Sequence, residues 1–416
     1  YEKILKLFVY FTFGLIPVSF ILGNTILNSN IILCCIFLIL VSIKYKSWEW
    51  IKNKLFISLL VFWTYLFLNS LYQIIFNIDH QYIWGGLIRS LGFIKFVILS
   101  CSFLVFKNKN INFGKIINIW FILILIILFD VFFEKIFGKN LFGYISPDHT
   151  RIVSFFKDEL VVGGFLFCFG FISTAYILNS KSISPYNKKY LFILFFVILF
   201  AIFLTGERSN FIKSFIFLFL TMFLIFNNLF KHKRGFVILF IFLISLTLIF
   251  NKNVNNKYLE FFDRIKISES KGFDKFENIK YFSHYKVSIN IFKDNILLGV
   301  GNKNFRWSCH DKNYYDKSEK FSSQRCSTHP HQIHFELLSE QGLIGYILFF
   351  SIILKFIYSA YKNKLKKNNF FKKILCIYLI IFLIPILPSG SIFSTFGGSY
   401  FWFTLSILNY INEDRY

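Results

Sequence analysis

Residues 116–133 read IINIWFILILIILFDVFF, a run with one charged side chain, Asp130. Wound as a helix, a run of this length and apolarity matches the ~30 Å hydrocarbon core of a bilayer. Eleven more apolar runs fall near 4–22, 26–43, 55–76, 84–106, 160–178, 190–204, 211–230, 236–250, 342–361, 374–388 and 391–411. Composition agrees: of 416 residues, 56% are apolar and 16% charged, and Phe alone fills 61 positions. That excludes a soluble enzyme, a fibrous protein and a disordered one. The expected fold is an all-α polytopic integral membrane protein of about 12 transmembrane helices.

The net charge of +24 would point to nucleic acid in a soluble protein. Here it reads as lysines on cytoplasmic loops, and no nucleic-acid partner is expected. With the N-terminus inside, the even-numbered connections and the two termini carry 22 Lys and Arg, and the short odd-numbered connections carry 5. This asymmetry puts both termini in the cytoplasm and one long segment, 251–341, outside. The expected organisation is a nine-helix region at 1–250, a large periplasmic loop at 251–341 and a three-helix region at 342–416. The loop holds 15 Lys and Arg and 11 Asp and Glu, with Trp307, Phe305 and Phe335 among them, a mixture suited to an ordered functional unit. No cleavable signal peptide, internal repeat or low-complexity tract is read. The chain opens on Tyr1, and a few preceding residues are expected.

Chemistry concentrates in three places. The first is Thr328-His329-Pro330-His331-Gln332-Ile333-His334-Phe335-Glu336, followed by Glu340, Gln341, Gly342 and Gly345. Three histidines within six residues raise a metal site. The lack of an HExxH pattern and the Pro between His329 and His331 argue against it, and metal: none is the expectation. A neutral imidazole, with an unperturbed pKa near ~6.5, suits proton abstraction from a hydroxyl. A solvated histidine-rich loop is the plain alternative, and Glu159 or Glu336 would be next in line as a base.

The second is a set of outward arginines: Arg151, with Lys157, Asp158 and Glu159 behind it, and Arg208 in Thr205-Gly206-Glu207-Arg208-Ser209. A guanidinium at the membrane boundary donates two parallel hydrogen bonds to phosphate oxygens and keeps its charge. Snorkelling, or an ion pair with Glu159 or Glu207, is the structural alternative. Arg89 and Lys95 fall inside the run 84–106 and are expected to face the protein interior or a lipid headgroup. The third is Gly299-Val300-Gly301-Asn302-Lys303-Asn304-Phe305-Arg306, a tight turn by default. Of seven cysteines, Cys309 and Cys326 share the outside loop, where a disulfide is expected over free or metal-binding thiols.

These residues resemble the O-antigen ligase and polymerase superfamily of bacterial membrane glycosyltransferases. His331-Gln332, nine residues, Gly342, two residues and Gly345 fit the H-[NSQ]-x9-G-x-x-[GTY] pattern of the ligases, at the end of the large loop. RIVSFFKDELVVGG at 151–164 looks like the family's R-x-S-G-x-F segment, and LTGERS at 204–209 and GxGxxxF at 299–305 also fit. Phe155 departs from the usual Gly after Ser154, and Gln332 from the commoner Asn.

The resemblance implies a GT-C-like helical fold with its site at the periplasmic face of the bacterial inner membrane. It implies metal-independent, inverting transfer of a glycan from undecaprenyl diphosphate to an acceptor hydroxyl, without a cofactor. The acceptor would be a lipid A-core sugar for a ligase or another repeat unit for a polymerase. His331 would be the base and Arg151 and Arg208 the diphosphate clamp, supported by Glu159, Arg306, His329, Glu336, Gly342 and Gly345. A polysaccharide transporter or flippase is the reading from another class. It is disfavoured because the polar density lies in one loop and not at mid-membrane.

Overall fold

The computed structural model describes residues 2–76, 83–108, 111–148, 151–157, 161–180, 185–224, 280–315, 322–362 and 370–413, with isolated positions between 235 and 245. Most of the apolar run at 236–250 and the first part of the expected loop therefore lie outside the described residues, as do Asp158 and Glu159. The described residues form helices and no strand.

In chain order the helices are α1 Glu2–Gly14, α2 Ile16–Ile21, α3 Asn24–Tyr45, α4 Lys54–Phe76, α5 Ile83–Gly92, α6 Ile94–Ser102 and α7 Phe113–Phe137. After them come α8 Val162–Leu178, α9 Pro185–Leu204, α10 Arg208–Leu224, α11 Lys280–Asp294, α12 Ile333–Lys362, α13 Phe370–Phe382 and α14 Thr395–Glu413. Among the described residues, five helices are long and apolar enough to cross a membrane: Asn24–Tyr45, Lys54–Phe76, the composite Trp84–Lys107, Phe113–Phe137 and Ile333–Lys362. Shorter apolar stretches of helix among the described residues are Val162–Leu178 and Tyr190–Leu204. The run expected at 4–22 breaks between α1 and α2, where Pro17 opens the second helix. The run at 84–106 is also broken, at Phe93 and again where a 3-10 turn covers Phe103–Lys107.

The exterior is what a lipid phase would solvate. Leu7, Ile122, Phe129 and Phe223 are more than half exposed, a pattern that in water would amount to large sticky patches. At the centre is α14, buried from Gly398 to Tyr410. Several of its polar groups are satisfied internally, as a dry interior demands. Asn409 Nδ2 donates to Ser100 O at 3.0 Å, its Oδ1 accepts from Asn53 Nδ2 at 3.1 Å, and Thr404 Oγ1 donates to Tyr400 O at 2.8 Å.

Candidate active site

The helix α12 starts nine residues before the apolar run expected at 342–361, because its polar first turns find partners in protein. Gln332 caps it, with Oε1 accepting from His334 N at 2.6 Å and Phe335 N at 3.1 Å. Inside α12, Gly342 leaves helical geometry at φ 64° and ψ −170°. The break frees two carbonyls and two amides, and the segment 296–301 takes all four. Val300 N donates to Ser339 O at 3.0 Å and Gly301 N to Glu340 O at 2.8 Å. In return Leu343 N donates to Ile296 O at 2.8 Å and Ile344 N to Leu297 O at 3.3 Å.

Such an approach leaves no room for side chains. A Cβ on Gly342 would sit 2.3 Å from Leu297 O, and one on Gly299 would sit 2.5 Å from Glu340 C. From α4, Asn69 Nδ2 donates to Leu298 O at 2.8 Å and Gln73 Nε2 to Gly299 O at 2.9 Å. The GxG turn and Gly342 thus serve one backbone crossing, while Gly345 gives room to Tyr65.

Just past that turn, Lys303 is buried with its Nζ 2.8 Å from Glu336 Oε1. Ser391 Oγ bonds both partners, and Ile392 N donates to Glu336 Oε2 at 3.1 Å. Glu340 accepts from Lys303 N at 2.8 Å through Oε2, while its buried Oε1 has no hydrogen bond. Removing one partner of such a dry pair costs about 3–5 kcal/mol, since the other charge is then stranded.

The histidine segment follows. His331 takes a left-handed backbone, φ 59°, uncommon for a residue with a side chain. Its carbonyl accepts from Ser389 N at 2.7 Å, and its Nε2 lies 2.9 Å from Ser327 Oγ. Around its ring stand His329 at 4.2 Å, Tyr281 at 5.1 Å and His284 at 5.4 Å between centroids. Burial pushes His329 down to about 4, so it is neutral beside its neighbour at ordinary pH; its Nε2 is buried without a hydrogen bond. His334 points elsewhere, with Nδ1 at 2.9 Å from Tyr346 Oη and Nε2 at 2.8 Å from Leu383 O. Both its nitrogens are engaged, which leaves none to meet a substrate.

Cys309 and Cys326 are joined as a disulfide, just ahead of this segment. Among the described residues, Cys309, His310 and Cys326 are grouped closely enough to hold a metal ion, yet two of these three ligands are consumed by that bond. Arg306 Nη2 donates to Thr328 O at 3.2 Å, tying the GxG side to the histidine side. Its protonated form is disfavoured first by burial and then by the neighbouring charge of Arg89.

Arg151 lies on a segment fixed by carboxylates of α7. Glu134 accepts from Val153 N at 3.1 Å and Ser154 N at 2.6 Å, and Asp130 accepts from Ser154 Oγ at 2.5 Å. Ser154 sits at φ 48°, the left-handed region that glycine enters freely. Arg151 Nε lies 3.7 Å from Asp148 Oδ2 and makes no hydrogen bond. Glu207 accepts from Gly163 N at 2.6 Å and Gly164 N at 3.2 Å, so it joins the LTGERS stretch to the first turn of α8. Burial pushes its carboxyl up, opposed by those amides, Asn210 and the charge of Arg151.

Arg208 opens α10, and that helix is connected to His331 through a single peptide. Ser209 Oγ and Lys213 Nζ donate to Pro388 O at 2.8 and 2.9 Å, and the next residue, Ser389, donates to His331 O. Glu159 lies outside the described residues. Ser389 and Ser391 were not singled out by the sequence; their signal was two serines in Pro388-Ser389-Gly390-Ser391, hidden at the junction of two apolar runs, while Lys303 lay in the stretch read as a tight turn.

Residues 193–350 match the family model described as O-antigen ligase, and no curated protein matches the chain. That span holds Arg208, Lys303, Arg306, Glu336 and the whole His331-to-Gly345 pattern, while Arg89 and Arg151 precede it. This part of the chain is thus similar to the O-antigen ligase family.

Proposed function

We propose that the protein is a ligase-type glycosyltransferase that moves a glycan from undecaprenyl diphosphate to a hydroxyl of a lipid A-core acceptor, at the periplasmic face of the inner membrane. The observation that carries this reading is His331 itself. It is a left-handed histidine held between the Gln332 cap and Ser389, inside the matched domain and one peptide away from the contacts of the Arg208 helix.

As base, the imidazole takes the acceptor proton while the acceptor oxygen attacks the anomeric carbon. The bond to the diphosphate breaks on the opposite face, and its electron pair leaves with the phosphate oxygen, so configuration inverts. Arg151 and Arg208 meet the charge that develops on the leaving diphosphate. A diphosphate is already a good leaving group, so two guanidinium groups and a placed base suffice without metal. EDTA is expected to leave turnover unchanged, and restoration by zinc after chelation would turn the histidines into ligands.

The test is the lipopolysaccharide profile of a deletion strain complemented with the wild-type gene or with His331→Ala. A ligase gives loss of all long chains with lipid-linked polymer accumulating in the variant. A core capped by one repeat unit would assign polymerisation instead. The orientation is checked by cysteine labelling: position 318 should be reachable from the periplasm and position 368 should not.

A further inference from the structure

A cavity of about 170 Å³ is lined by three cationic side chains, Arg89, Lys303 and Arg306, with Gly85, Gly86 and Trp307 completing much of its wall. Lys303 is committed to Glu336, and Glu340 accepts from the Lys303 amide, so the two arginines carry the surplus charge. Among the described residues neither Arg89 nor Arg306 has a carboxylate within ion-pair distance. Arg306 keeps Nη2 on Thr328 O, and its Nε is buried without a hydrogen bond. Two guanidinium groups converging on one small cavity repel each other unless an anion sits between them. Gly85 and Gly86 belong to the first turn of α5, where backbone dipoles also favour negative charge.

The surroundings of the cavity say what kind of anion. On α5 the side chains of Trp84 and Ile88 are 65% and 68% exposed, and both flank Arg89 on the outer surface of the bundle. An exposed Trp beside an exposed Ile is the composition of a lipid-facing helix near headgroup depth. An amphiphile could lay its chain along that face and its headgroup against Arg89. The cavity is joined to the histidine segment through Thr328, whereas the helix that Arg208 opens is joined to it through the Pro388–Ser389 peptide.

We infer that Arg89 and Arg306 form a second anion subsite, which takes the phosphate of a membrane lipid serving as the acceptor. This rests on the reading of His331 as the base of a two-substrate transfer whose donor is held at Arg151 and Arg208. The subsite would seat the second phosphorylated amphiphile so that its sugar hydroxyl meets the imidazole. Lys303 stiffens the base of the cavity from its pair with Glu336.

Binding is read without turnover, by native mass spectrometry of the full chain in detergent micelles. The probes are dioleoylphosphatidic acid, dioleoylphosphatidylcholine and inorganic pyrophosphate. The wild type should retain phosphatidic acid in preference to phosphatidylcholine, and Arg89→Gln and Arg306→Gln should each weaken that retention roughly tenfold, the worth of one charge-assisted hydrogen bond. Lys362→Gln, which removes a distant cation, and His331→Ala should retain it as the wild type does. Loss of transfer in His331→Ala with retention intact separates the two readings. Arg89 is exposed and makes no hydrogen bond or ion pair among the described residues, so its variant keeps the fold, which a thermal melt verifies. Unchanged retention in Arg89→Gln and Arg306→Gln would overturn the subsite. Pyrophosphate bound as tightly as phosphatidic acid would overturn its assignment to a lipid.

Discussion

The segment carrying Arg151 is held by carboxylates, Asp130 and Glu134, that accept from its backbone and from Ser154 Oγ. The segment carrying His331 is held by a backbone crossing that Gly299 and Gly342 permit. Anchoring by carboxylate tolerates a change in local sequence, since the acceptor meets whatever peptide is presented. Ser154 can therefore adopt a left-handed backbone followed by Phe155, where the resemblance leads one to expect glycine next. Anchoring by close approach has no such tolerance, because a single methyl group occupies the space of the neighbouring chain.

The largest expected effect separates the regions by chemistry. His331→Ala should lower transfer by roughly 10²–10⁴-fold, the usual share of a general base. His334→Ala, whose nitrogens already face Tyr346 and Leu383, should cost far less. A His331→Ala enzyme with wild-type turnover in a purified assay would leave the base to be found elsewhere.

Gly342→Ala attacks the crossing directly. A positive φ costs about 1–3 kcal/mol for a side-chain residue, and the collision with Leu297 adds to it, so about 3 kcal/mol or more of stability should vanish. A thermal midpoint within a degree of wild type would show that the crossing yields easily. Next comes Arg208→Lys, which keeps the charge and loses the fork. Activity should fall about tenfold with expression unchanged, and full activity would make Arg208 structural.

The smallest effect is in pH. His329 has a folded pKa lowered to about 4 by burial, against roughly 6.5 in an unfolded chain. The neutral form is favoured by the fold, so its stabilising contribution is complete above ~6.5 and is lost as pH falls toward 4. Thermal midpoints should drop across that window, and His329→Gln should flatten part of the slope. An identical slope in the variant would assign the acid sensitivity to other groups.

Much of the membrane character was legible because hydropathy is local: α7 appears where IINIWFILILIILFDVFF announced a helix, extended by a turn at each end. The early start of α12 was not, because Glu336, Ser339, Glu340 and Gln341 look like loop residues until their partners are known. Those partners come from Lys303, Ser391 and the 296–301 segment, far away in the chain. The histidine pattern was visible as spacing, and the structure supplies its physical content: Gln332 caps, Gly342 crosses and Gly345 clears Tyr65. Arg89 was read as facing protein or headgroup, and only the fold sets it beside Arg306.

The bond from Ser389 to the His331 carbonyl has a consequence in time. Ribosomes deliver His331 before Ser389, and Glu336 before Ser391 and Ile392. Until the chain past α13 has emerged, the left-handed turn has no donor and the Glu336 carboxylate lacks two of its partners. A growing chain thus carries both arginines and the imidazole well before it can hold that imidazole in place. Completion of the last helical hairpin is what fixes the His331 backbone and completes the partners of Glu336.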